Sequence, residues 1–434
     1  MDKVGVIGLG YIGLPLLAAL AESGYGVVGM DTDKRKIESL RRTLTAEIYE
    51  PGLDEALQKH KDDIEFTTNC DRLMKQCSAV LVTVGTPLAI DIPDINSIHH
   101  VTVALGKGLR NGHLIILKST VYPGLTRQMA TELEEISGLK AGRDFHIAFH
   151  PERTIEGAAL SELRSLPKII GGINVDSTEQ AARIIRKLGD NIVRVSSPEV
   201  AELCKLIDNT YRVMNISFAN EIGDICQKFG VDPHEVREVV NNAYDRTNLF
   251  QSGLGADGPC LSKDPQILQY YANERDVTTR VLDALITKGN ESTMRVARIA
   301  SRFLIEHKVR RPKVAMMGLA FKGTPETDDT RDSPAAKIQS ALQKTVGNVE
   351  FKYYDPIVKK FLKDKVCTQP ADCIIGANVV MFLTNHPGLL AINIDDVMDI
   401  AGRPLLIVDC WRNIANPEGK RPHNVQLVRL GGGV

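Results

Sequence analysis

The sequence predicts an α/β protein in three parts: a doubly wound N-terminal unit, a helical middle with one long helix, and a smaller C-terminal α/β unit. Three observations predict it. Residues 1–197 alternate short apolar runs with amphipathic stretches, the pattern of βαβ units. Residues 198–308 instead carry two long runs with apolar side chains at helical spacing. Past Arg310-Arg311-Pro312, a chain-breaking triplet, residues 309–434 resume the alternation. A chain of 434 residues is also too long for one ordinary core.

In the first part, Val4–Ile7, Val27–Met30, Val80–Val84, Leu114–Leu117 and His146–Phe149 read as strands. Helical patterns lie between them, as at Ile12–Ser23 and Lys34–Leu40. Such alternation implies a parallel sheet covered on both faces. In the middle, Glu199–Phe229 has no glycine between Val200 and Ala219, and a second helical run extends from Val277 to Glu306. Val314–Met317, Val349–Tyr353, Val379–Leu383 and Leu405–Val408 are the strands expected of the last part. The tail Gly431-Gly432-Gly433-Val434 is expected to be loose.

Composition excludes several classes of function. Lys and Arg number 53 and Asp and Glu 54, a net charge of −1, which gives no support for nucleic-acid or anionic-membrane binding. Eight cysteines occur with no CxxC spacing, so no zinc ribbon, redox pair or other metal site is expected. A strand-like run begins at Lys3, leaving no room for a signal peptide, and no apolar run approaches transmembrane length. A cytoplasmic protein with reduced thiols is the expectation.

Gly8-Leu9-Gly10-Tyr11-Ile12-Gly13 fits GxGxxG, follows a strand and opens an apolar helix. Asp31 ends the next strand, 18 residues after Gly13. Together these form the signature of a Rossmann-type dinucleotide site. The glycines let a pyrophosphate approach a helix N-terminus, and Asp31 would accept hydrogen bonds from the adenosine ribose, favouring NAD over NADP. Arg35 and Lys36 lie just beyond, either as further candidates for contact with the adenine or a phosphate or as solvated helix charges. Thr86 and Thr120 put hydroxyls just past two strands, where open α/β sheets bind ligands.

Cys260 sits in Gly253-Leu254-Gly255-Ala256-Asp257-Gly258-Pro259-Cys260-Leu261-Ser262-Lys263-Asp264. Glycines there permit close approach of backbone to a ligand. A thiolate is a strong nucleophile whose pKa falls beside cations such as Lys205 and Lys263. Lys205 and Asn209, spaced i, i+4, share one face of the long helix. Lys205 lies among Leu203, Leu206 and Ile207, so it either snorkels to solvent or is held in a site.

The ordered set GLGYIG, TVGTP, KSTV-PG, PER, Leu206–Arg212, Phe218-Ala219-Asn220-Glu221, the Cys260 loop, Gly318–Lys322 and Asp328–Pro334 resembles the UDP-glucose/GDP-mannose dehydrogenases over nearly the whole chain. The resemblance implies a four-electron oxidation of a UDP-sugar at C6, with NAD reduced twice. It makes Cys260 the nucleophile, with Lys205 at the oxyanion and Asn209 sharing that role or holding the water. Asp264 and Thr120 would handle protons, Glu156 would stand near the reacting carbon, and Glu152 would orient it. It places Arg153, Gly255, Phe321 and Lys322 at the sugar nucleotide and Arg331 near the cofactor. Arg246 would reach the sugar of a neighbouring subunit, so a homodimer or higher homo-oligomer is implied. The C-terminal part lacks GxGxxG and would take the UDP-sugar.

Within the family, Pro151-Glu152-Arg153 and Leu166–Gly172 resemble the N-acetylhexosamine branch, since glucose-type relatives usually carry Phe after Pro-Glu. UDP-N-acetyl-D-mannosamine is the first expectation, UDP-N-acetylglucosamine or UDP-glucose the alternatives. Gln251 stands where glucose-specific relatives often carry lysine. Asp257 replaces a glycine usual in relatives, and its carboxylate would raise the Cys260 pKa, point away, or contact substrate. A two-electron 3-hydroxyacid dehydrogenase would need neither the cysteine nor the second α/β unit. A non-catalytic NAD-binding protein would not need Cys260, Lys205 and Asp264 intact.

Overall fold

The computed structural model describes residues 3–89, 92–242, 244–414 and 422–430; the glycine tail lies outside them. The chain divides into two compact units. The first comprises residues 1–208 and 266–278, the second 209–265 and 279–434.

The first unit is built on eight strands: β1 Lys3–Ile7, β2 Gly26–Met30, β3 Ile64–Thr67, β4 Cys77–Val82, β5 Leu114–Leu117, β6 His146–Phe149, β7 Lys168–Gly172 and β8 Ile192–Arg194. Their order is β8-β7-β6-β5-β4-β1-β2-β3, so the order reverses between β1 and β4. Side chains alternate across the sheet. Val4, Val6, Leu81 and Ile116 feed the core on one face, and Val80, Val82, Ile115, Leu117 and Phe149 feed the other. Both faces are therefore apolar, which is why these strands read as continuous hydrophobic runs.

The expected all-parallel sheet needs one correction. β7 runs antiparallel to β6, pairing Ala148 with Gly172 and Phe149 with Gly171. Its glycines serve close packing. A Cβ on Gly171 would lie 2.3 Å from the Ser197 carbonyl oxygen, and one on Gly172 would lie 2.4 Å from the Thr178 nitrogen.

The second unit carries a five-stranded parallel sheet: β9 Lys313–Met317, β10 Glu350–Tyr354, β11 Val379–Phe382, β12 Leu405–Asp409 and β13 Val425–Arg429, in the order β10-β9-β11-β12-β13. A long helix, Arg280–Glu306, buries Val296, Ala297, Ala300, Phe303 and Leu304 in the same core as Val314 and Met316. No described helix is long and apolar enough to cross a membrane.

Helix Pro198–Phe229 gives its first turns to the first unit and the rest to the second. Ala201 and Leu206 join the first unit's core. Glu202, fully buried, accepts from the backbone N–H groups of Gly124 (2.6 Å) and Thr126 (2.9 Å) and from the Thr126 hydroxyl (2.5 Å). The carboxylate thus satisfies the N-terminal donors of helix Leu125–Ser137, which has no side-chain cap of its own. Glu202→Ala should lower the unfolding free energy by about 3 kcal/mol in urea denaturation. A loss under about 0.5 kcal/mol would mean that these bonds contribute nothing net.

Candidate active site

The glycine signature lies between β1 and helix Gly13–Glu22. Gly8 has φ +94°, a conformation that favours glycine, and a Cβ on Gly13 would lie 1.8 Å from the Gly8 carbonyl oxygen. A Cβ on Gly10 would meet no protein atom within 4 Å, so this glycine borders open space beside the helix N-terminus. No side chain caps that helix, so its positive end is open to an anion, although Leu14 N–H already bonds to the Gly10 carbonyl (3.1 Å) and Pro15 has no N–H. Asp31 accepts from Leu9 N–H (3.0 Å) and Asp33 N–H (3.0 Å) and pairs with Lys36 (2.9 Å). Burial alone would raise its pKa, but these donors outweigh it and hold the carboxyl below its ordinary value. An ionised acid at the end of β2, a glycine-lined opening and an uncapped helix fit NAD. Tyr11 and Ile12 complete the turn, both half-buried, with Ile12 at the helix N-cap, while Arg35 points into solvent with its side chain 93% exposed. Of the two cations expected there, Lys36 is the one paired with Asp31.

Thr86 and Thr120 are brought together: the Thr86 hydroxyl donates to the Thr120 carbonyl at 2.6 Å. Deeper in the same unit, Lys118 and Glu152 form an ion pair at 3.2 Å with side chains only 1% and 9% exposed. Glu152 also accepts from Arg153 N–H and Thr154 N–H, both at 2.8 Å, and so shapes the loop after β6. Burial opposes its charge, but Lys118 and the Thr154 N–H prevail and bring its pKa down to about 2. Neighbouring His150 donates from Nδ1 to the Ile169 carbonyl (2.8 Å), and burial, aided by Lys118, pushes its pKa down to about 3. Arg153 turns to Asp208, with Nε 2.8 Å from Oδ2. Glu156 is half-buried further along the loop. Lys205 is buried, 9% exposed, so of the two expectations for it the structure supports a held lysine.

In the second unit the cysteine loop is pinned at several points. Asn220 donates to the Leu254 carbonyl (3.0 Å) and accepts from Gly253 N–H (2.8 Å). Gly255 lies against helix Arg280–Glu306, where a Cβ would come 2.0 Å from the Gly289 carbonyl oxygen. Gly258 has φ +95°, and a Cβ there would strike the Phe321 ring at 2.4 Å. Its N–H donates to the Asp332 carbonyl at 3.1 Å. Cys260 follows, exposed, with its carbonyl accepting from Asp264 N–H (3.0 Å) at the start of helix Asp264–Asn273. Asp264 is fully buried and is held by the Asn209 amide at 2.5 Å and Lys263 at 2.7 Å. Lys263, expected beside the thiol, is thus committed to Asp264.

Asp257 points away from the thiol into a pairing network. It accepts from Lys337 (2.8 Å) and from the Thr293 hydroxyl (2.7 Å), and Lys337 also pairs with Asp332 (2.9 Å). Burial pushes the Asp257 carboxyl up. Burial opposes the charge on Lys337 as well, but Asp257 and Asp332 more than offset that and raise its pKa.

The remaining candidates are spread through the second unit. Lys322 donates to the Pro325 carbonyl (2.7 Å) and lies 5.6 Å from the Phe321 ring centre. Arg331 grips Asp329 from both edges, with Nε–Oδ1 at 2.9 Å and a terminal nitrogen to Oδ2 at 2.5 Å. Arg246 is exposed in the loop after helix Pro233–Asn241. Sequence reading missed the supporting residues Lys118, Glu202, Thr293 and Lys337. A buried lysine inside Leu117-Lys118-Ser119 was the one signal that could have flagged any of them. No cluster of metal-ligating side chains is found among the described residues.

Three family domains match the chain in order. They are the NAD binding domain of the UDP-glucose/GDP-mannose dehydrogenase family (residues 2–189), its central domain (199–291) and its UDP binding domain (315–417). A UDP-N-acetyl-D-mannosamine dehydrogenase of Pyrococcus horikoshii is 32% identical over 403 residues, covering 91% of this chain and 92% of that protein. The solved structure of the UDP-D-ManNAc dehydrogenase from P. horikoshii superposes with a TM-score of 0.88 at 29% identity, covering 99% of each chain. A UDP-glucose dehydrogenase structure from Pyrobaculum islandicum gives 0.85 at 27%, covering 100% of this chain and 98% of that one. With the dinucleotide cradle, the cysteine loop and three consecutive domains in agreement, the chain belongs to the UDP-glucose/GDP-mannose dehydrogenase family and is an NAD-dependent UDP-sugar dehydrogenase.

Proposed function

We propose that this enzyme oxidises the C6 hydroxymethyl of a UDP-N-acetylhexosamine, UDP-N-acetyl-D-mannosamine in the first instance, to the uronic acid. The observation that carries the reading is an exposed Cys260 on a rigidly pinned loop, one turn before the buried, ionisable Asp264. A two-electron dehydrogenase needs no such thiol. Arg153 and the P. horikoshii relative favour the N-acetyl sugar. UDP-glucose stays as the second reading, because a glucose-specific structure fits the fold nearly as well.

NAD, when bound, accepts one hydride in each of two rounds, so a hydroxymethyl, water and two NAD⁺ give a carboxylate, two NADH and three protons. Asp264, with Thr120 and a water, takes up the hydroxyl proton in the first round. Cys260 then adds to the aldehyde and keeps it bound as a thiohemiacetal, which the second round converts to a thioester. Lys205 and Asn209 stabilise negative charge on the oxygen as it develops, an effect strongest where water is scarce. Water attacking the thioester releases the acid and regenerates the thiol. Glu156 lies near the reacting carbon, while Glu152 orients the loop that carries it. Arg153, Gly255, Phe321 and Lys322 hold the sugar nucleotide, and Arg331 approaches the cofactor.

In this reading residues 1–197 bind NAD, 198–308 form the helical dimerisation region and 309–434 bind the UDP-sugar. Helix Pro198–Phe229 supports the second assignment. Ile207, Tyr211, Met214, Phe218, Ile225 and Phe229 recur at spacings of four, three, four, seven and four, and all are exposed. That is a heptad seam awaiting a second copy of the helix. Arg246 would then serve the partner's sugar.

Three outcomes are expected. Cys260→Ala should retain NAD and UDP-sugar binding by calorimetry and lose uronic acid formation by at least about a thousandfold. The native enzyme should form two NADH per acid, and full turnover by the variant would falsify the covalent step. Phe218→Glu should yield monomers in sedimentation velocity; an unchanged dimer would place the interface elsewhere. Acid should destabilise the enzyme in a defined window. Unfolded His150 takes a proton near its ordinary pKa of 6.5, while the folded residue resists until about pH 3. Stability should therefore fall as pH drops from 6.5 towards 3, by up to about 1.4 kcal/mol per unit from this residue. Glu152 adds a loss of the same sign from 4.5 towards 2. His150→Gln should flatten the upper part of a plot of unfolding free energy against pH, and an unaltered slope would assign it to other groups.

A further inference from the structure

Arg153 is anchored at both ends, which a flexible surface arginine is not. Its backbone N–H donates to Glu152 at 2.8 Å, and Glu152 is itself locked to the buried Lys118. Its guanidinium Nε lies 2.8 Å from Oδ2 of Asp208, with the two side chains 30% and 39% exposed. Oδ2 itself is buried and makes no hydrogen bond, so the contact is an ion pair, while the rest of both side chains stays partly open to a ligand. A guanidinium carries five N–H donors in a planar fork, so a carboxylate at Nε orients the group without exhausting it. Asp208 follows Lys205 by three residues on the same helix and directly precedes Asn209. An ion pair this exposed adds little to stability. Its consequence is directional.

We propose that Asp208 is a positioning residue for sugar specificity. Its carboxylate aims Arg153, and the aimed guanidinium donates to the acetamido carbonyl that distinguishes an N-acetylhexosamine from a hexose. The proposal rests on the sugar reading above and deepens it. A carbonyl at C2 is a stronger and more distant acceptor than a hydroxyl. A donor fixed at that range rewards the N-acetyl substrate and does nothing for UDP-glucose. Without Asp208 the arginine keeps its charge but loses its direction, and rotamer freedom returns as a binding penalty.

The test is initial-rate NADH formation by the full enzyme with UDP-N-acetyl-D-mannosamine and with UDP-glucose. Asp208→Asn should raise KM for the N-acetyl substrate about tenfold, with kcat changed less than about twofold. The ratio of kcat/KM between the two sugars should fall by a similar factor, and Asp208→Glu should recover most of it. In an Arg153→Ala background, Asp208→Asn should have no further effect, because the aspartate acts only through the arginine. Arg153→Lys, which keeps the charge and loses the fork, should reproduce the loss and serves if Asp208→Asn does not fold. Equal losses on both sugars, or an Asp208→Asn effect that persists in full without Arg153, would overturn the proposal while leaving the sugar reading intact. A native enzyme that oxidises UDP-glucose but no N-acetylhexosamine would overturn the sugar reading itself, and this assignment with it.

Discussion

Helix Pro198–Phe229 has to bury polar side chains along one stripe, and much of the molecule is arranged around that demand. Glu202, Lys205, Asn209 and Asn220 are all less than a tenth exposed and recur at spacings of three, four and eleven residues. A buried polar group without a partner costs about 1–3 kcal/mol. Glu202 meets its demand at the start of helix Leu125–Ser137, Asn209 at Asp264, and Asn220 at the backbone of Gly253 and Leu254. The helix thereby dictates the shape of the loop after β5 and of the approach to Cys260. Its opposite stripe is apolar and exposed, so one element carries both the polar groups assigned to catalysis and the surface assigned to dimerisation.

The cysteine loop illustrates how charge is kept from interfering with reactivity. Asp257 would oppose formation of a thiolate if it faced the sulfur. Instead Lys337 and Thr293 take up its oxygens, and Lys337 is shared with Asp332. A buried carboxylate of this kind is tolerable only when paired. The glycines on either side do related work by steric means. Gly255 and Gly258 let a helix carbonyl and an aromatic ring come within distances that any Cβ would forbid. Stiffness in the loop places an exposed thiol without covering it, as the covalent role proposed for Cys260 requires.

Much of the fold was legible in the sequence because apolar periodicity is a local property. β1, β2, β5, β6 and β9 fall within a residue or two of where alternation puts them, as does helix Pro198–Phe229, while the second long helix starts three residues later than expected, at Arg280 rather than Val277. The short strands β3, β7, β8 and β13 escaped notice. Runs of three to five residues are too short to establish a period. The reversed direction of β7 was also out of reach, since apolar periodicity is the same whichever way a strand runs.

The sequence by itself determined the dinucleotide signature, the thiol among glycines and the family, because each depends on residue types at fixed spacings. Tertiary structure decided which charges meet. It buried Lys205, paired Lys118 with Glu152, turned Asp257 toward Lys337, took Lys263 for Asp264 and brought Arg153 to Asp208. The physical reason is that an ionic partner is chosen by distance and desolvation in the folded chain. Asp257 and Lys337 stand 80 positions apart, and no local pattern announces such a pair.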